Sequence, residues 1–190
     1  MARFDAYHGT SAKNANNIRS EGFFPSVSNA EWLGNGVYFF LNGISNPEDD
    51  AECWAICNSW DNKNKVRTYD QYAVLYSTLN VDDDSILDLD DDDSDKRKFF
   101  TEFREVFFEK IRKAGKYYGN VADGFIINEL IENRILPVKM VKSKMYVQLK
   151  ELDRKFRIIS RIPNCTICSV NDLNCISNVC IKCVRFINDA

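Results

Sequence analysis

Histidine is the residue that this sequence most lacks: among 190 residues there is one, His8. Long apolar runs are also missing, since none approaches the roughly 18 residues that a membrane-spanning helix requires. The chain does not open on a charged segment followed by an apolar one, which is the pattern of an export signal. We therefore expect a protein that stays in the cytoplasm and has no membrane partner.

Cysteine is present in an odd number, seven. Without an export signal, cysteines are more typical of thiols or metal ligands than of disulfides. The hydrophobic fraction of 45% and the aromatic fraction of 13% exclude a chain that is disordered throughout. A length of 190 residues is enough for one domain with a buried core and a small appendage.

Charge is unevenly distributed along the chain. Residues 1–131 hold 14 Lys+Arg against 23 Asp+Glu, whereas residues 132–190 hold 11 against 5. The basic end favours an anionic partner such as RNA, although such a charge is also typical of an ordinary solvated face. The nine aspartates between Asp82 and Asp95 have no glycine or final glutamate in the register of a calcium loop, so we expect a solvated loop.

Two motifs near the start of the chain are the most informative. The alternation of "ARFDAYHG" predicts a strand that ends at His8, and the following "TSAKNANNIRSEG" predicts a helix that Thr10 or Ser11 caps and Gly22 ends. The second motif, "WLGNGVYFF", places two glycines before an extended aromatic run at residues 37–40. These glycines favour either a bend or close approach of another molecule to the backbone.

The rest of the chain predicts further helices and strands. A helix begins near Pro47, strands cover "QYAVLYSTLNV" and "SILDL", and an amphipathic helix covers residues 96–113 with its phenylalanines in the core. Short strands are expected in "VADGFII", "KMYVQLKEL" and "KFRIISRI". Strands at the beginning, middle and end, without a repeated βαβ rhythm, predict an α+β fold. We divide the chain into a main domain, 1–161, and a cysteine-rich C-terminal appendage, 162–190.

In combination, "YHGT", the helix after it, "WLGNGVYFF" and the later "AECWA" resemble the ADP-ribosyltransferase fold, in the branch that includes the poly(ADP-ribose) polymerases. The resemblance covers residues 3–60 clearly and 120–160 loosely. It implies split antiparallel sheets with flanking helices, and an enzyme that transfers ADP-ribose from NAD to an acceptor and releases nicotinamide. Compact members of the family often serve as toxins, defence factors or phage modifiers.

The resemblance also implies roles for particular residues. His8 would hydrogen-bond the ribose hydroxyls of NAD, the backbone of Gly9 would hold the nicotinamide carboxamide, and Tyr38 would stack on the nicotinamide ring. Aromatic faces attract flat cations, and a glycine backbone leaves its amide groups unobstructed. The full set of expected NAD-binding residues is His8, Gly9, Thr10, Gly36, Tyr38, Trp54 and Ser45, with Asn46 as an alternative to Ser45.

The third catalytic position of the family is a glutamate in its most active members. Its carboxylate stabilises positive charge on the departing sugar. In "MYVQLKEL" the matching position is Gln148, and Glu151 is the second candidate because it would need a bulge to reach the same face of a strand. A glutamine brings no negative charge, so we expect transfer of a single ADP-ribose to an acceptor that is already nucleophilic or is activated in another way.

The C-terminal cysteines give a separate signal. Two CxxC pairs, Cys165 with Cys168 and Cys180 with Cys183, match the spacing of a structural zinc site. Against zinc, neither pair is followed by a knuckle glycine, and "VCIKCVRFI" is also typical of an apolar strand with buried cysteines. Cys53 and Cys57, one helical turn apart, are expected to pack rather than to bind metal.

The sequence therefore supports three hypotheses. The first is an NAD-dependent mono-ADP-ribosyltransferase acting on a protein, a nucleic acid or a small molecule. The second is a catalytically inactive module of the same fold that binds NAD, ADP-ribose or a protein partner. The third is a nucleic-acid-binding zinc ribbon in the C-terminal segment, with the front domain acting on that nucleic acid.

Overall fold

The computed structural model describes residues 1–28, 30–115 and 122–187. Within these ranges, a mixed set of strands and α-helices alternates along the chain. In chain order they are β1 (Ala2–Ser11), α1 (Ala12–Glu21), β2 (Val37–Leu41), α2 (Pro47–Asn58), β3 (Trp60–Asp61), β4 (Val66–Arg67), β5 (Gln71–Val81), β6 (Ile86–Asp88), α3 (Asp95–Ala114), α4 (Asp123–Glu132), β7 (Met140–Met145), α5 (Glu151–Lys155), β8 (Cys165–Val170) and β9 (Ile176–Phe186).

The central feature is a seven-stranded sheet with the order β6-β7-β8-β2-β1-β5-β9, and β3 and β4 form a separate hairpin. All neighbouring strands of the large sheet are antiparallel except β6 and β7. The predicted mixture of helices with a mostly antiparallel sheet is therefore confirmed.

The middle of this sheet is weakly joined. β1 pairs with β5 along its whole length, from Ala2 opposite Val81 to Ser11 opposite Tyr72. By contrast, β1 pairs with β2 at only two positions, Ala6 opposite Leu41 and Tyr7 opposite Phe40. The sheet thus consists of two well-paired halves, β6-β7-β8-β2 and β1-β5-β9, that separate beyond Tyr7.

Helices cover the two faces of the sheet, and each face has its own apolar core. On one face, Ala15 of α1 packs with Phe23 and with strand residues that include Phe39 and Leu75. On the other face, α2, α3 and α4 contribute the buried residues Ala51, Ala55, Phe100, Ile126, Ile127 and Leu130. None of the helices in the described ranges is long and apolar enough to cross a membrane.

The ends of the early helices follow the sequence signals. The Ser11 hydroxyl accepts a hydrogen bond from the Asn14 amide at 3.1 Å, and the Gly22 amide donates to the Ile18 carbonyl at 2.9 Å with φ of 89°. Pro47 begins α2, and acidic residues fill its first turn, where they complement the helix dipole. The predicted starts and ends of α1 and the predicted start of α2 are confirmed.

Of the three short strands predicted in the second half of the chain, two are wrong, and the third overlaps β7 only at residues 144 and 145. Residues 123–132 form α4, since Ile126, Ile127 and Leu130 recur at helical spacing and are buried together. Strand β7 ends at Met145, and residues 151–155 form α5. In the segment 155–162, Ile159 and Ile162 are exposed and no strand forms. Short apolar runs do not distinguish a strand from a helix or an exposed loop.

The cysteine-rich C-terminal segment is part of the sheet. β8 lies between β2 and β7 and is buried along its length, and β9 pairs with β5 at the edge. The boundary placed at residue 161 therefore does not separate an appendage from a main domain. An apolar strand such as β8 needs neighbours on both sides, which a short tail does not supply.

Gly9 marks a close approach between β1 and α2. A Cβ atom at this position would lie 1.7 Å from the carbonyl oxygen of Ala51 and 3.2 Å from the Ala51 Cα. The obstructing atoms belong to the backbone, so a side-chain rotation cannot relieve the clash. Glycine is required here by helix packing, independently of any ligand.

We predict that Gly9→Ala lowers the free energy of unfolding by about 1–3 kcal/mol or more, because α2 must move away from β1. Chemical denaturation monitored by circular dichroism measures this loss. Gly115→Ala is the matched control: its Cβ would meet no atom of the described residues within 4 Å, although its φ of 61° carries some strain. A Gly9→Ala protein as stable as the Gly115→Ala protein would contradict the prediction.

Candidate functional site

A cleft opens where β1 and β2 separate, with a volume of about 500 Å³. This size lies within the range of roughly 300–1,000 Å³ typical of small-molecule sites. Six of the residues predicted to bind NAD line it: His8, Gly9, Thr10, Gly36, Tyr38 and Trp54. They come from β1, the start of β2 and α2, so the fold brings together residues up to 46 positions apart in sequence.

His8 is held by the strand that faces it across the cleft. Its Nδ1 lies 2.8 Å from the carbonyl oxygen of Tyr38. Because a carbonyl oxygen only accepts, Nδ1 carries the proton, and Nε2 of the neutral ring is left as an acceptor. Burial lowers the pKa of His8 from its ordinary value, against the opposing effect of this hydrogen bond. The neutral ring is thus the favoured form.

Two phenylalanines fix the plane of the imidazole. Phe23 and Phe39 meet the His8 ring edge-on, with centroid distances of 5.4 and 5.9 Å. The two phenylalanines also contact each other edge-to-face at 5.2 Å. This arrangement is favourable for aromatic rings and restricts rotation of the histidine about χ2.

Tyr38 connects the cleft to the glycine-rich turn. Its hydroxyl donates to the Gly34 carbonyl at 2.9 Å and accepts from the Leu33 amide at 2.8 Å. Burial raises the pKa of Tyr38 well above its ordinary value, so the phenol stays protonated and can donate. The hydroxyl of Tyr38 therefore forms its hydrogen bonds with the turn, and the part of Tyr38 that a ligand in the cleft can contact is the ring.

The two glycines of the turn meet specific neighbours. Gly34 has φ of 78°, and a Cβ there would lie 2.7 Å from Oδ1 of Asn128 on α4. A Cβ on Gly36 would lie 2.3 Å from Oγ of Ser169 and 2.8 Å from the Val170 carbonyl oxygen on β8. The same Asn128 oxygen accepts a hydrogen bond from the Asn35 amide at 2.6 Å. The turn is therefore clamped between α4 and β8.

Aromatic residues form the opposite wall of the cleft. Trp54 of α2 contacts Trp32 edge-to-face at 5.9 Å and Phe40 at 6.4 Å. The guanidinium of Arg154 lies 4.9 Å from the centre of the Trp54 ring. Trp32 and Phe40, the first and last residues of "WLGNGVYFF", thus line the cleft together with Trp54, although the sequence assigned neither of them to the site.

Other lining residues were missed because nothing in a local pattern distinguishes them. α1 contributes Asn14, Asn17 and Glu21, and the connection from α1 to β2 contributes Ser26 and Glu31. The polar face of an amphipathic helix looks the same whether it meets solvent or a ligand. What identifies these residues is that α1 lies beside the gap between β1 and β2, and this position can be known only from the tertiary fold.

Gln148 does not line this cleft. It lies after β7 in an irregular segment, where its side-chain amide donates to the Ile158 carbonyl at 2.6 Å. The second candidate, Glu151, begins α5 and forms an ion pair with Arg67 at 2.8 Å. The strand beside β2 is β8, and its contribution to the cleft is Ile167. The sequence register that selected Gln148 assumed a strand that the chain does not form.

Ser45 is also outside the set of residues that line the cleft. Its hydroxyl donates to the buried carboxylate of Asp50 in the first turn of α2. Asn46, the alternative, caps α2 by accepting a hydrogen bond from the Glu48 amide at 3.0 Å. Both side chains stabilise the start of the helix, which is the ordinary role of serine and asparagine at that position.

The four cysteines predicted to bind zinc are not brought together. Cys165 and Cys168 lie on β8, whereas Cys180 and Cys183 lie on β9, and the order β8-β2-β1-β5-β9 places three strands between them. Four steps of about 4.8 Å make a separation on the order of 19 Å, far beyond a shared zinc ion with Zn–S bonds of about 2.3 Å. This separation removes the structural basis for a zinc ribbon.

Several of the cysteines are instead buried side chains of the core, whereas Cys180 is exposed. Cys165 and Cys168 belong to the cores on opposite faces of the sheet, as their odd spacing on a strand requires. Burial raises the pKa of the Cys165 thiol to about 12. Cys57 is buried and its thiol lies 3.2 Å from the Leu149 carbonyl. Among the described residues, no group of three or more metal-binding side chains is found.

Comparison with known proteins finds a distant similarity. The chain is 28% identical over 137 residues to the uncharacterized protein MJ0359 of Methanocaldococcus jannaschii, a match that covers 70% of this chain and 59% of that protein. The chain thus spans less than two thirds of the length of this relative. No family model matches the chain.

The single histidine allows a direct test of the cleft electrostatics. We predict that the imidazole resonance of His8, followed by NMR against pH, titrates below the ordinary value of about 6.5, because burial disfavours the charged ring. The same resonance in urea-unfolded protein provides the control and should titrate near the ordinary value. A folded-state midpoint above that of the unfolded protein would show that His8 is stabilised as a cation instead.

The cysteine placement predicts unequal effects of serine substitution. Cys168→Ser should lower the free energy of unfolding by about 1–3 kcal/mol, since it places a hydroxyl in an apolar core. Cys180→Ser, at an exposed position of β9, should change it by less than about 0.5 kcal/mol. Thermal unfolding of both variants measures the difference. Equal, large losses in both would indicate a shared metal site.

Proposed function

We propose that the protein binds NAD in the cleft between β1 and β2 and transfers a single ADP-ribose to an acceptor, with release of nicotinamide. One observation carries the proposal: His8, Gly9, Tyr38 and Trp54, which the sequence resemblance assigned to NAD, all line one cleft of suitable size. They reach it from three elements that are separate in the chain.

The chemistry of His8 supports a sugar ligand. With Nδ1–H donating to Tyr38, Nε2 is an acceptor in a ring whose orientation Phe23 and Phe39 restrict. A ribose hydroxyl is a donor that matches it. Because burial favours the neutral ring, this acceptor persists at neutral pH.

The aromatic residues support a flat cationic ring as the second part of the ligand. The nicotinamide of NAD is a pyridinium, and aromatic faces attract such a cation by about 0.5–2 kcal/mol each. Tyr38 and Trp54 provide these faces. β1 continues for four residues beyond the last pair that it forms with β2. The edge of β1 near Gly9 therefore faces the gap between the two strands. The carboxamide of nicotinamide can form hydrogen bonds with the backbone there.

The reaction requires no cofactor beyond NAD itself. The bond between C1′ of the ribose and the nicotinamide nitrogen breaks, and its electron pair passes to the nitrogen, which neutralises the pyridinium. The acceptor forms the new bond to C1′ and releases its proton to solvent. The contribution of β8 to the cleft is Ile167, which cannot remove a proton. Because β8 provides no general base, transfer of a single ADP-ribose to an acceptor that is already nucleophilic is favoured over elongation of an ADP-ribose chain.

A second candidate function is binding without catalysis. It is favoured by the position of Gln148, whose side chain bonds to Ile158 and contributes nothing to the cleft. On this alternative the protein binds NAD or ADP-ribose, or presents the cleft to a partner. Equilibrium binding of NAD by calorimetry, together with no release of nicotinamide over hours, would favour the binding module over the transferase.

The transferase proposal predicts that His8→Ala and Tyr38→Ala each lower nicotinamide release by at least about 10²-fold, through loss of ribose positioning and of ring stacking. Chromatography of nicotinamide from NAD measures the rate. Tyr38→Phe is the matched control: it keeps the ring and loses two hydrogen bonds to the turn, so it should lose about 1–2 kcal/mol of stability but retain most activity.

Labelled NAD identifies the acceptor class. Wild-type protein is incubated with labelled NAD and cell extract, and the product is digested separately with protease and with nuclease. Loss of the label from large material in one digest assigns the acceptor. If wild-type protein neither binds NAD nor labels the extract, the proposed function is wrong.

A further inference from the structure

The cleft contains a carboxylate that the sequence did not assign. Among its described lining residues, the carboxylates are Glu21 and Glu31. Glu21 is the exposed last residue of α1. Glu31 is partly buried and directly precedes Trp32, which packs against Trp54. Glu31 therefore lies at the aromatic end of the cleft.

Glu31 is held in position from two sides. Its Oε1 accepts a hydrogen bond from the Ser26 hydroxyl at 2.5 Å, and the Ser26 backbone is bridged to Gly36 by bonds of 2.9 and 3.0 Å. On the other side, α4 packs so closely that a Cβ on Gly124 would lie 1.7 Å from the Glu31 carbonyl oxygen. Close packing thus restrains the backbone of Glu31, and the hydrogen bond from Ser26 orients its carboxylate.

The field of this carboxylate reaches the ring on which nicotinamide would stack. The pKa of Tyr38 is raised chiefly by burial, and the negative charge of Glu31 raises it further. The carboxylate that the sequence offered for the third catalytic role is paired elsewhere, since Glu151 forms an ion pair with Arg67. The buried carboxylate of Asp50 accepts a hydrogen bond from Ser45.

We propose that Glu31 is the catalytic carboxylate, stabilising the positive charge that moves from the nicotinamide ring to the ribose as the C1′–N bond breaks. This inference rests on the proposed cleavage of NAD. Preorganised charge facing a developing opposite charge lowers the barrier without reorganisation at the moment of reaction. Glu31 takes no proton in this step; the proton of the acceptor leaves to solvent.

The test is the effect of Glu31→Gln on nicotinamide release. Glutamine keeps the shape of the side chain and still accepts from Ser26, so the fold should be retained, which thermal unfolding verifies. We expect kcat to fall by about 10²-fold or more. Calorimetry with NAD should show a Kd within about fivefold of wild type, since aromatic contacts and His8 supply most of the binding. Glu31→Asp should recover part of kcat.

Two further variants establish that the position matters. Glu102→Gln removes an exposed carboxylate of α3 outside the cleft and should leave kcat unchanged. Glu21→Gln removes the other carboxylate of the cleft and should lower kcat by less than about threefold. If Glu21→Gln impairs kcat as much as Glu31→Gln, or if Glu31→Gln turns over at the wild-type rate, the assignment of Glu31 is wrong while the proposed function stands. A wild-type protein that binds NAD and releases no nicotinamide contradicts both.

Discussion

The hydrogen bond from His8 to the Tyr38 carbonyl is the contact on which the site depends. It forms immediately after the two residue pairs that join β1 to β2, at the point where a regular ladder would have continued. A side chain thus replaces a backbone partner, and the Tyr38 carbonyl stays satisfied while the strands separate. A buried carbonyl without a partner would disfavour this separation. The same hydrogen bond therefore allows the cleft to open and positions His8 within it.

The same bond determines what the histidine can do. By using Nδ1–H it leaves Nε2 as an acceptor, and the surrounding phenylalanines and burial favour the neutral ring. A charged imidazolium would lose the acceptor and would also stand against a cationic ligand. Structure and electrostatics thus select the same state of the ring. The bond also links the two halves of the sheet, so any change in their spacing alters the position of Nε2.

The glycines of the two motifs have a structural explanation that is independent of ligand binding. The absence of a side chain allows α2 to pack closely against Gly9 and β8 to pack closely against Gly36, and Gly34 adopts a positive φ beside α4. Each is required by a backbone or side chain of the fold. The presence of these glycines therefore indicates the architecture, and the evidence for chemistry lies in the side chains between them. The motifs therefore contain glycines that the fold requires beside side chains that the proposed function uses.

The early part of the structure could be predicted because its signals are local. Ser11, Gly22 and Pro47 act within one helical turn of where they stand, and the alternation of β1 repeats every second residue. The later part could not, because the partner of β2 is set by tertiary pairing with a strand about 130 residues away. "KMYVQLKEL" and "NCTICSV" are both short and apolar, and nothing within either shows which one lies beside Tyr38. For that reason the sequence could not show that Gln148 lies outside the cleft.

The proposed function assigns binding and catalysis to different elements. The groups proposed to hold NAD lie on β1, β2 and α2, which the two cores fix from both faces. The strand next to Tyr38 contributes an isoleucine, so the negative charge nearest the aromatic wall comes from the connection between α1 and β2. That connection is tied to β2 through Ser26 and Gly36 and to α4 through Gly124. The backbone hydrogen bonds between Ser26 and Gly36, the close packing of α4 at Gly124 and the hydrogen bond from the Ser26 hydroxyl restrain this segment, which is the support that the proposed role of Glu31 needs.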